Sequence, residues 1–507
     1  MSAEGGAFPH PLHRQHHHRS HHHRFAVSLF PVVLCVLASL VLMTVLESNQ
    51  FFTFGADGSH RSSDDGFSSR RPVIILPGLA ASKLEVRLNR TSVPEPYCET
   101  KTSDWRLSWI TFRELKQPKC FRDQLQLKLN LSSSLGGKGE SLLSSLLGTL
   151  FDFVHASTDR FPFWHGKKVE VKNQEGVEVR AHDFGGVQGI TRMHKLLFDK
   201  MTKLVVGLER SGWVAGENLF AAPYDWRHAA DGLQEIGFYE DLRALIEESV
   251  RKSDGRKAVI VGHSLGSLTT AHFLLQQPVA WRQQYVHGFV SIAAPFGGSV
   301  HAVKAMLTGE AGGIPFVSPA LFHDIQKSCT SALWLMPRKH LWGDEVVLET
   351  ATRNFTAGEL PAAFASAGMV AQAAILDEIH DQLDAWRVLE SSSGTGRSPG
   401  GIPGVESTLC LYSTNVSTVS KVMYDEDIAA LDTEEGIARV ARANGPRVLK
   451  DMDGDGLVNL RSLKECDAFS NKVREFDGIG HRGMLQHPEV LQLVMEEATI
   501  DSAPAKE

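Results

Sequence analysis

A β-branched run, Val259-Ile260-Val261, ends in Gly262-His263-Ser264-Leu265-Gly266, and helix-compatible residues follow to Phe273. A serine between a strand and a helix, flanked by glycines at two residues either side, is the pattern of a nucleophile elbow. So tight a turn strains the serine backbone and pushes its hydroxyl above the sheet. The glycines let strand and helix pass close with no Cβ between them. The chemistry predicted is covalent: a base takes the Ser264 proton and the oxygen attacks an acyl carbon. The same spacing recurs at Gly396-Arg397-Ser398-Pro399-Gly400. That copy lies in Ser/Gly-rich sequence with no strand before it and no helix after it, and reads as a loop. Context therefore selects Ser264.

A serine on such a turn needs a base and an acid, in the chain order Ser, Asp or Glu, His. Eight of the 23 histidines lie in residues 1–24, and after Asp455 only His481 and His487 remain. His481 follows an apolar-Gly turn that leaves its ring free to reach Ser264. His487 precedes Pro488 and reads as an exposed residue at a helix start. Asp455 is the acid candidate, holding the His481 tautomer and stabilising the imidazolium. The stretch Asp451-x-Asp453-x-Asp455-Gly456 also matches the first half of an EF-hand calcium loop, but position 12 falls on Ser462, which is not acidic. No metal and no cofactor is expected. Upstream, the strand Pro72–Leu76 runs into Pro77-Gly78-Leu79-Ala80-Ala81, a small-residue loop able to offer backbone N–H groups to an oxyanion.

These residues need a scaffold. Apolar strands at Pro72–Leu76, Leu219–Ala222, Ala258–Val261, Val286–Ala293 and Leu409–Tyr412 alternate with helical stretches at 192–209, 238–251 and from about Pro488. Continuously apolar strands between helices indicate an α/β fold whose parallel sheet is covered on both faces. Residues 305–400 read as a helix-rich, Gly/Ser-interrupted cap. Apolar content of 42% and charged content of 22% fit a globular protein with a full core, and the net charge of -7, with no basic cluster, argues against nucleic acid as a partner. Asp225 and Arg227 read as a local ion pair around a core Trp226.

The N-terminus is different in kind. Residues 1–24 form a His/Arg-rich leader. Phe25 to Leu46 is a run of 22 residues, apolar apart from Ser28, Ser39 and Thr44, long enough to span a bilayer. Arginines before it and Glu47 and Asp57 after it place the leader in the cytosol and the rest of the chain in the secretory lumen or outside. The expectation is a single-pass signal anchor, the alternative a cleaved signal peptide and a secreted protein. Residues 47–70 form a linker. The sequons at Asn89, Asn130, Asn354 and Asn415 are glycosylation candidates on a lumenal domain.

Six cysteines are present, with no C-x-x-C pair. Cys98 and Cys120 enclose Trp105, Trp109 and Phe112, which fall on one helical face. A bridge there would stabilise the chain by about 3 kcal/mol. The aromatics suit a lipid surface or a small satellite core. Residues 132–168 read as an insertion, either a cap helix or a lipid-contacting element. The glycine-rich loop from His182 belongs to a candidate lid over 181–200.

Taken jointly, these stretches resemble the lecithin:cholesterol acyltransferase family, which includes lysosomal phospholipase A2 and plant and parasite phospholipase-acyltransferase relatives. The resemblance is carried by Val73-Ile-Ile-Leu-Pro-Gly-Leu79, the Trp-bearing loop from Cys98 to Cys120, Ala222-Pro-Tyr-Asp-Trp-Arg227, the elbow, Ser291-Ile-Ala-Ala-Pro-Phe-Gly-Gly298, Asn354-Phe-Thr, Leu409-Cys-Leu-Tyr412 and Asp453-Gly-Asp-Gly-Leu-Val-Asn-Leu460 with Cys466. It covers roughly residues 71–500 and implies an α/β-hydrolase fold with a membrane-binding subdomain at 98–120 and a lid. It further implies Ser264 as nucleophile, Asp455 as acid, His481 as base, and the N–H groups of Leu79 and Leu265 as oxyanion donors. Disulfides Cys98–Cys120 and Cys410–Cys466 follow from it, leaving Cys329 free. Three departures stand out: Leu457 in place of the usual Thr, Phe296 where many members have Trp, and a divergent lid.

The expected activity is removal of a fatty acyl chain from glycerophospholipid through an acyl-Ser264 intermediate. The acyl group then passes to a lipid alcohol such as a sterol, or to water. The expected partners are a phospholipid substrate, that acceptor and a membrane surface. The alternatives are a neutral-lipid or carboxyl-ester hydrolase and a non-catalytic lipid-binding protein.

Overall fold

The computed structural model describes residues 70–131, 169–191, 201–311, 319–382, 401–429, 431–442 and 445–500. The leader, the expected span at 25–46, the linker to residue 69, the insertion 132–168, lid residues 192–200 and the second serine motif at Ser398 lie outside the described residues. Among the described residues no helix is long and apolar enough to cross a membrane.

The apolar runs become a six-stranded sheet. Its strands are β1 (Val73–Leu76), β2 (Leu219–Ala221), β3 (Ala258–His263), β4 (Val286–Ile292), β5 (Ser407–Thr414) and β6 (Lys472–Asp477). They lie in the order β6-β5-β4-β3-β1-β2, and every pairing is parallel. Successive side chains point to opposite faces, and both faces are buried. Ile74, Leu76, Ile260 and Phe289 pack on one side, with Leu242 and Ile246 of the helix Phe238–Lys252 and Leu268 of the helix Leu265–Gln276. Val73, Ile75, Val259, Val261 and Ile292 pack on the other, against Leu204 and Leu208 of the helix Met201–Arg210 and Val490 and Val494 of the helix Pro488–Ala498. The outer strand β6 instead exposes Lys472, Arg474 and Glu475, charges that discourage pairing with a further strand. The topology is that of a doubly covered α/β sheet, in which sites form beyond the carboxyl ends of the strands.

One expectation is corrected. Arg106–Trp109 is a strand, not part of a helix: it pairs with Leu84–Leu88, whose other edge carries Val177–Ala181. The shared helical face of Trp105, Trp109 and Phe112 therefore does not exist, because pairing with distant sequence overrode local periodicity. The described part of the 305–400 region is rich in helix and also holds the strands Val346–Glu349 and Asn354–Thr356, which join Lys421–Met423 and Arg447–Leu449 in a separate four-stranded sheet.

Candidate active site

Ser264 stands between β3 and the helix Leu265–Gln276 with φ 54° and ψ -125°. A positive φ on a non-glycine residue is strained and persists only where its surroundings fix it. Here they do. The Ser264 N–H donates to the Ile292 carbonyl of β4 at 2.9 Å, and the Ser264 carbonyl accepts from the Ser267 N–H at 2.9 Å. A Cβ on Gly262 would lie 2.6 Å from Ser267 Cα, and one on Gly266 would lie 2.3 Å from the Leu76 carbonyl oxygen. The two glycines thus answer to backbone crowding on both sides of the serine.

The loop after β1 lies against this turn. A Cβ on Gly78 would come within 2.9 Å of His263 Nδ1 and 3.1 Å of Ser264 Cβ. Leu79 follows and is 40% exposed. Leu265 is the first residue of its helix, so no carbonyl within that helix accepts its N–H. Two clamps on the loop escaped sequence reading. The Tyr224 hydroxyl donates to the Pro77 carbonyl at 2.9 Å, and Trp226 Nε1 donates to the Ser82 carbonyl at 3.3 Å. The Tyr-Asp-Trp-Arg run was their one signal, and it said nothing of what the polar tips would reach.

Asp455 and His481 come from the loops beyond β5 and β6. Asp455 is 1% exposed and His481 7%. His481 Nδ1 donates to Asp455 Oδ2 at 2.7 Å. That carboxylate fixes the proton on Nδ1 and leaves Nε2 as the acceptor. The other oxygen, Oδ1, accepts the N–H groups of Leu457 at 3.0 Å and Val458 at 2.8 Å. The His481 N–H donates to the Asp455 carbonyl at 2.7 Å. The bond from Leu457 is a main-chain bond, so Leu in place of Thr does not remove it. Phe296 is fully buried, edge-on to Phe469 with centroids 5.0 Å apart.

His263 joins the serine turn to His481. Its Nε2 lies 3.4 Å from the His481 carbonyl, and the two ring centroids are 5.0 Å apart. Burial first, and then its neighbours His481 and Arg482, hold its imidazole well below the usual range, so it is neutral. Asp225 pairs with Arg227 at 2.6 Å, both buried. Burial alone would raise the Asp225 carboxyl, but Arg227 holds it below its ordinary value. Arg227 also reaches the Leu125 carbonyl and Asn173, so this pair ties distant segments together as well as serving its own turn.

The acids of the calcium-like stretch do not converge. Asp453 Oδ1 accepts from the N–H groups of Asn415 and Gly454, Asp451 bonds Ser420, and Asp455 faces His481. Among the described residues, the metal-ligand types that cluster are Cys410, Cys466 and Asp467, and those two sulfurs form a disulfide. Cys98 and Cys120 form the other, leaving Cys329 as a buried free thiol. His487 precedes the last helix as expected but is half-buried, with its ring 5.2 Å from that of Phe476.

The profile of the lecithin:cholesterol acyltransferase family matches residues 157–394. Phosphatidylcholine-sterol acyltransferase of Mus musculus is 28% identical over 408 residues, 79% of this chain and 78% of that protein. Lecithin-cholesterol acyltransferase-like 1 of Arabidopsis thaliana is 28% identical over 444 residues, 85% of this chain and 90% of that one. Lysosomal phospholipase A and acyltransferase of Mus musculus is 27% identical over 433 residues, covering 83% and 88%. The chain is thus similar to the lecithin:cholesterol acyltransferase family, by profile over 157–394 and by relatives along most of its length. It is an enzyme of the acyltransferase and phospholipase kind. Among solved structures, a chain of the Tle4-Tli4 complex aligns with TM-score 0.43 and 13% identity, covering 85% of this chain and 99% of that one.

The family profile spans Ser264 and ends before Asp455 and His481. The Trp-bearing loop needs a correction within it. Trp109 is 6% exposed, packed between Phe121, Trp226 and Phe322, because its strand turns that side toward the core. It is not available to a lipid surface. Trp105 is half-buried, with Arg180 and Arg87 over its ring at 4.3 and 4.9 Å. The Phe112 side chain lies outside the described residues. Asn89, Asn130, Asn354 and Asn415 are all exposed. Of the candidate lid, residues 182–191 are held at the sheet edge: the Gly185 N–H donates to the Ala221 carbonyl at 2.9 Å, and the Lys83 N–H to the Gly189 carbonyl at 2.8 Å.

Proposed function

We propose that this protein is a serine acyl-transfer enzyme acting on glycerophospholipid. The observation that carries the reading is the 2.7 Å bond from His481 to Asp455, on loops beyond the same sheet edge as the elbow serine. His481 Nε2 takes the Ser264 proton as Oγ attacks the ester carbon, and the negative oxygen rests on the Leu79 and Leu265 N–H groups. The ester C–O bond breaks. The departing lyso-lipid oxygen takes the proton from His481, leaving acyl-Ser264. An acceptor hydroxyl, from a lipid alcohol such as a sterol or from water, then gives His481 its proton and attacks the acyl carbon. Ser264 leaves and recovers a proton. How well the lid excludes water sets the balance between transfer and hydrolysis.

The apolar run 25–46 supports a membrane anchor with the catalytic unit in the secretory lumen or outside, and the four exposed sequons suit glycosylation there. Trp105, on the disulfide-closed segment, remains a lipid-contact candidate. The test supplies phosphatidylcholine labelled differently in its two acyl chains, with and without sterol, to the wild type and to Ser264→Ala. Mass analysis should find one chain released or moved to sterol by the wild type, and nothing with Ser264→Ala. Full phospholipid cleavage by Ser264→Ala would falsify the mechanism. Turnover of soluble esters alone would point to a carboxyl-ester hydrolase.

A further inference from the structure

We propose that Trp109 is a positioning residue for the oxyanion loop, acting through its indole N–H. The inference rests on the acyl-enzyme reading above. The loop Pro77–Ser82 has to hold the Leu79 N–H where the negative oxygen forms, yet Ala80, one residue on, has φ 61°. A left-handed residue with a Cβ does not hold that conformation unaided. Local bonding supplies only the turn closure, from the Ala81 N–H to the Gly78 carbonyl at 3.1 Å. The remaining restraints arrive from elsewhere in the chain. Trp109 Nε1 donates to the Ala80 carbonyl at 2.9 Å. Tyr224 and Trp226 hold the two ends of the loop, at Pro77 and Ser82. Trp109 therefore fixes the peptide that follows the strained residue, between the end clamps.

The indole is itself immobile. It is edge-on to Trp226 with centroids 4.7 Å apart and stacked on Phe121 at 6.0 Å. Phe121 adjoins Cys120, whose disulfide to Cys98 closes this segment. The strand ending at Trp109 pairs with Leu84, just beyond the loop. The disulfide-closed segment is thus one hydrogen bond from the residue after the oxyanion donor. Loss of that bond leaves the half-buried Ala80 carbonyl without its indole partner and frees the loop to shift. Displacement of a catalytic group by about an ångström can cost on the order of a hundredfold in rate.

The experiment replaces Trp109 by its benzothienyl isostere, which keeps the ring shape and lacks the N–H, and separately by Phe. Ser264→Ala runs alongside. The readouts are kcat, KM, thermal midpoint and affinity for a trifluoromethyl ketone that forms a tetrahedral adduct. The isostere should keep a near-wild-type midpoint and KM. Its kcat and its affinity for the ketone should fall together, by about ten- to a hundredfold. Trp109→Phe should show the same fall with a lower midpoint. An isostere enzyme with wild-type kcat and ketone affinity, beside an inactive Ser264→Ala, overturns this inference and leaves the acyl-enzyme reading intact. An active Ser264→Ala overturns both.

Discussion

The two sides of the proposed site are built by different physics. The nucleophile side, β1 and β3 with the turns that follow them, is set by backbone against backbone. Gly262, Gly266 and Gly78 each stand where a single methyl would collide with a neighbouring segment, and the strands beneath are wholly buried. The acid–base side lies beyond β5 and the charged outer strand β6, and is set by polar bonds. Asp455 is reached after a long excursion from β5. Two main-chain N–H groups and His481 then hold its carboxylate. Sterics make the first side intolerant of added atoms. Hydrogen bonding makes the second intolerant of changed charge. Variants on the two sides should therefore fail in different observables.

The largest effect is expected from Asp455→Asn. The amide keeps an acceptor oxygen for the Leu457 and Val458 N–H groups, but its NH2 cannot accept the Nδ1 proton of His481. The imidazole then favours the wrong tautomer, and kcat should fall by about 10⁴-fold with little change in thermal midpoint. A variant that keeps even a tenth of wild-type kcat would show that Asp455 is not the acid. Gly266→Ala should do the converse. Its methyl meets the Leu76 and Pro77 carbonyl oxygens at 2.3 and 2.5 Å. Overpacking of this kind costs about 1–3 kcal/mol, so the midpoint drops. As the elbow moves, kcat drops with it, by about a hundredfold. A wild-type midpoint for Gly266→Ala would mean that strand and helix leave room for a methyl there, and that sterics do not set this side of the site.

The same contrast explains what could be read from residues alone. The elbow is a five-residue steric device, so Ser264 was legible in its own neighbourhood. Asp455 and His481 needed the order rule and a family resemblance, because the bond between them joins two loops far apart in sequence. Trp109 was misread. Its spacing from Trp105 and Phe112 suits a helix, but Arg106–Trp109 pairs with Leu84–Leu88 and turns the indole inward. Its hydrogen bond to Ala80 has no sequence signature, since an indole N–H satisfied in a core looks like any other core tryptophan. The strands at 346–349 and 354–356 were missed for a related reason: the first pairs with 421–423, some seventy residues away.

The smallest effect sits at the seam between the two sides, on His263, which precedes Ser264 and touches the His481 carbonyl. Its folded-state pKa lies well below the ordinary value, while the unfolded chain titrates near about 6.5. Below that pH the unfolded state takes up a proton that the folded state refuses. The stabilising contribution is therefore complete above about 6.5 and is lost as pH falls toward the folded value. Buried His228, lowered chiefly by burial, and His323, pushed down to about 4 by burial and then Lys327, act in the same direction. The Asp225 carboxyl is also lowered, but its contribution persists until pH falls below about 4. The window from about pH 6.5 to 5 thus belongs to the buried histidines. Denaturant midpoints measured across it should fall with acid in the wild type. In His263→Asn the slope should be shallower by about one proton. Equal slopes would mean that His263 is protonated in the folded protein, and the seam would then carry a positive charge beside His481.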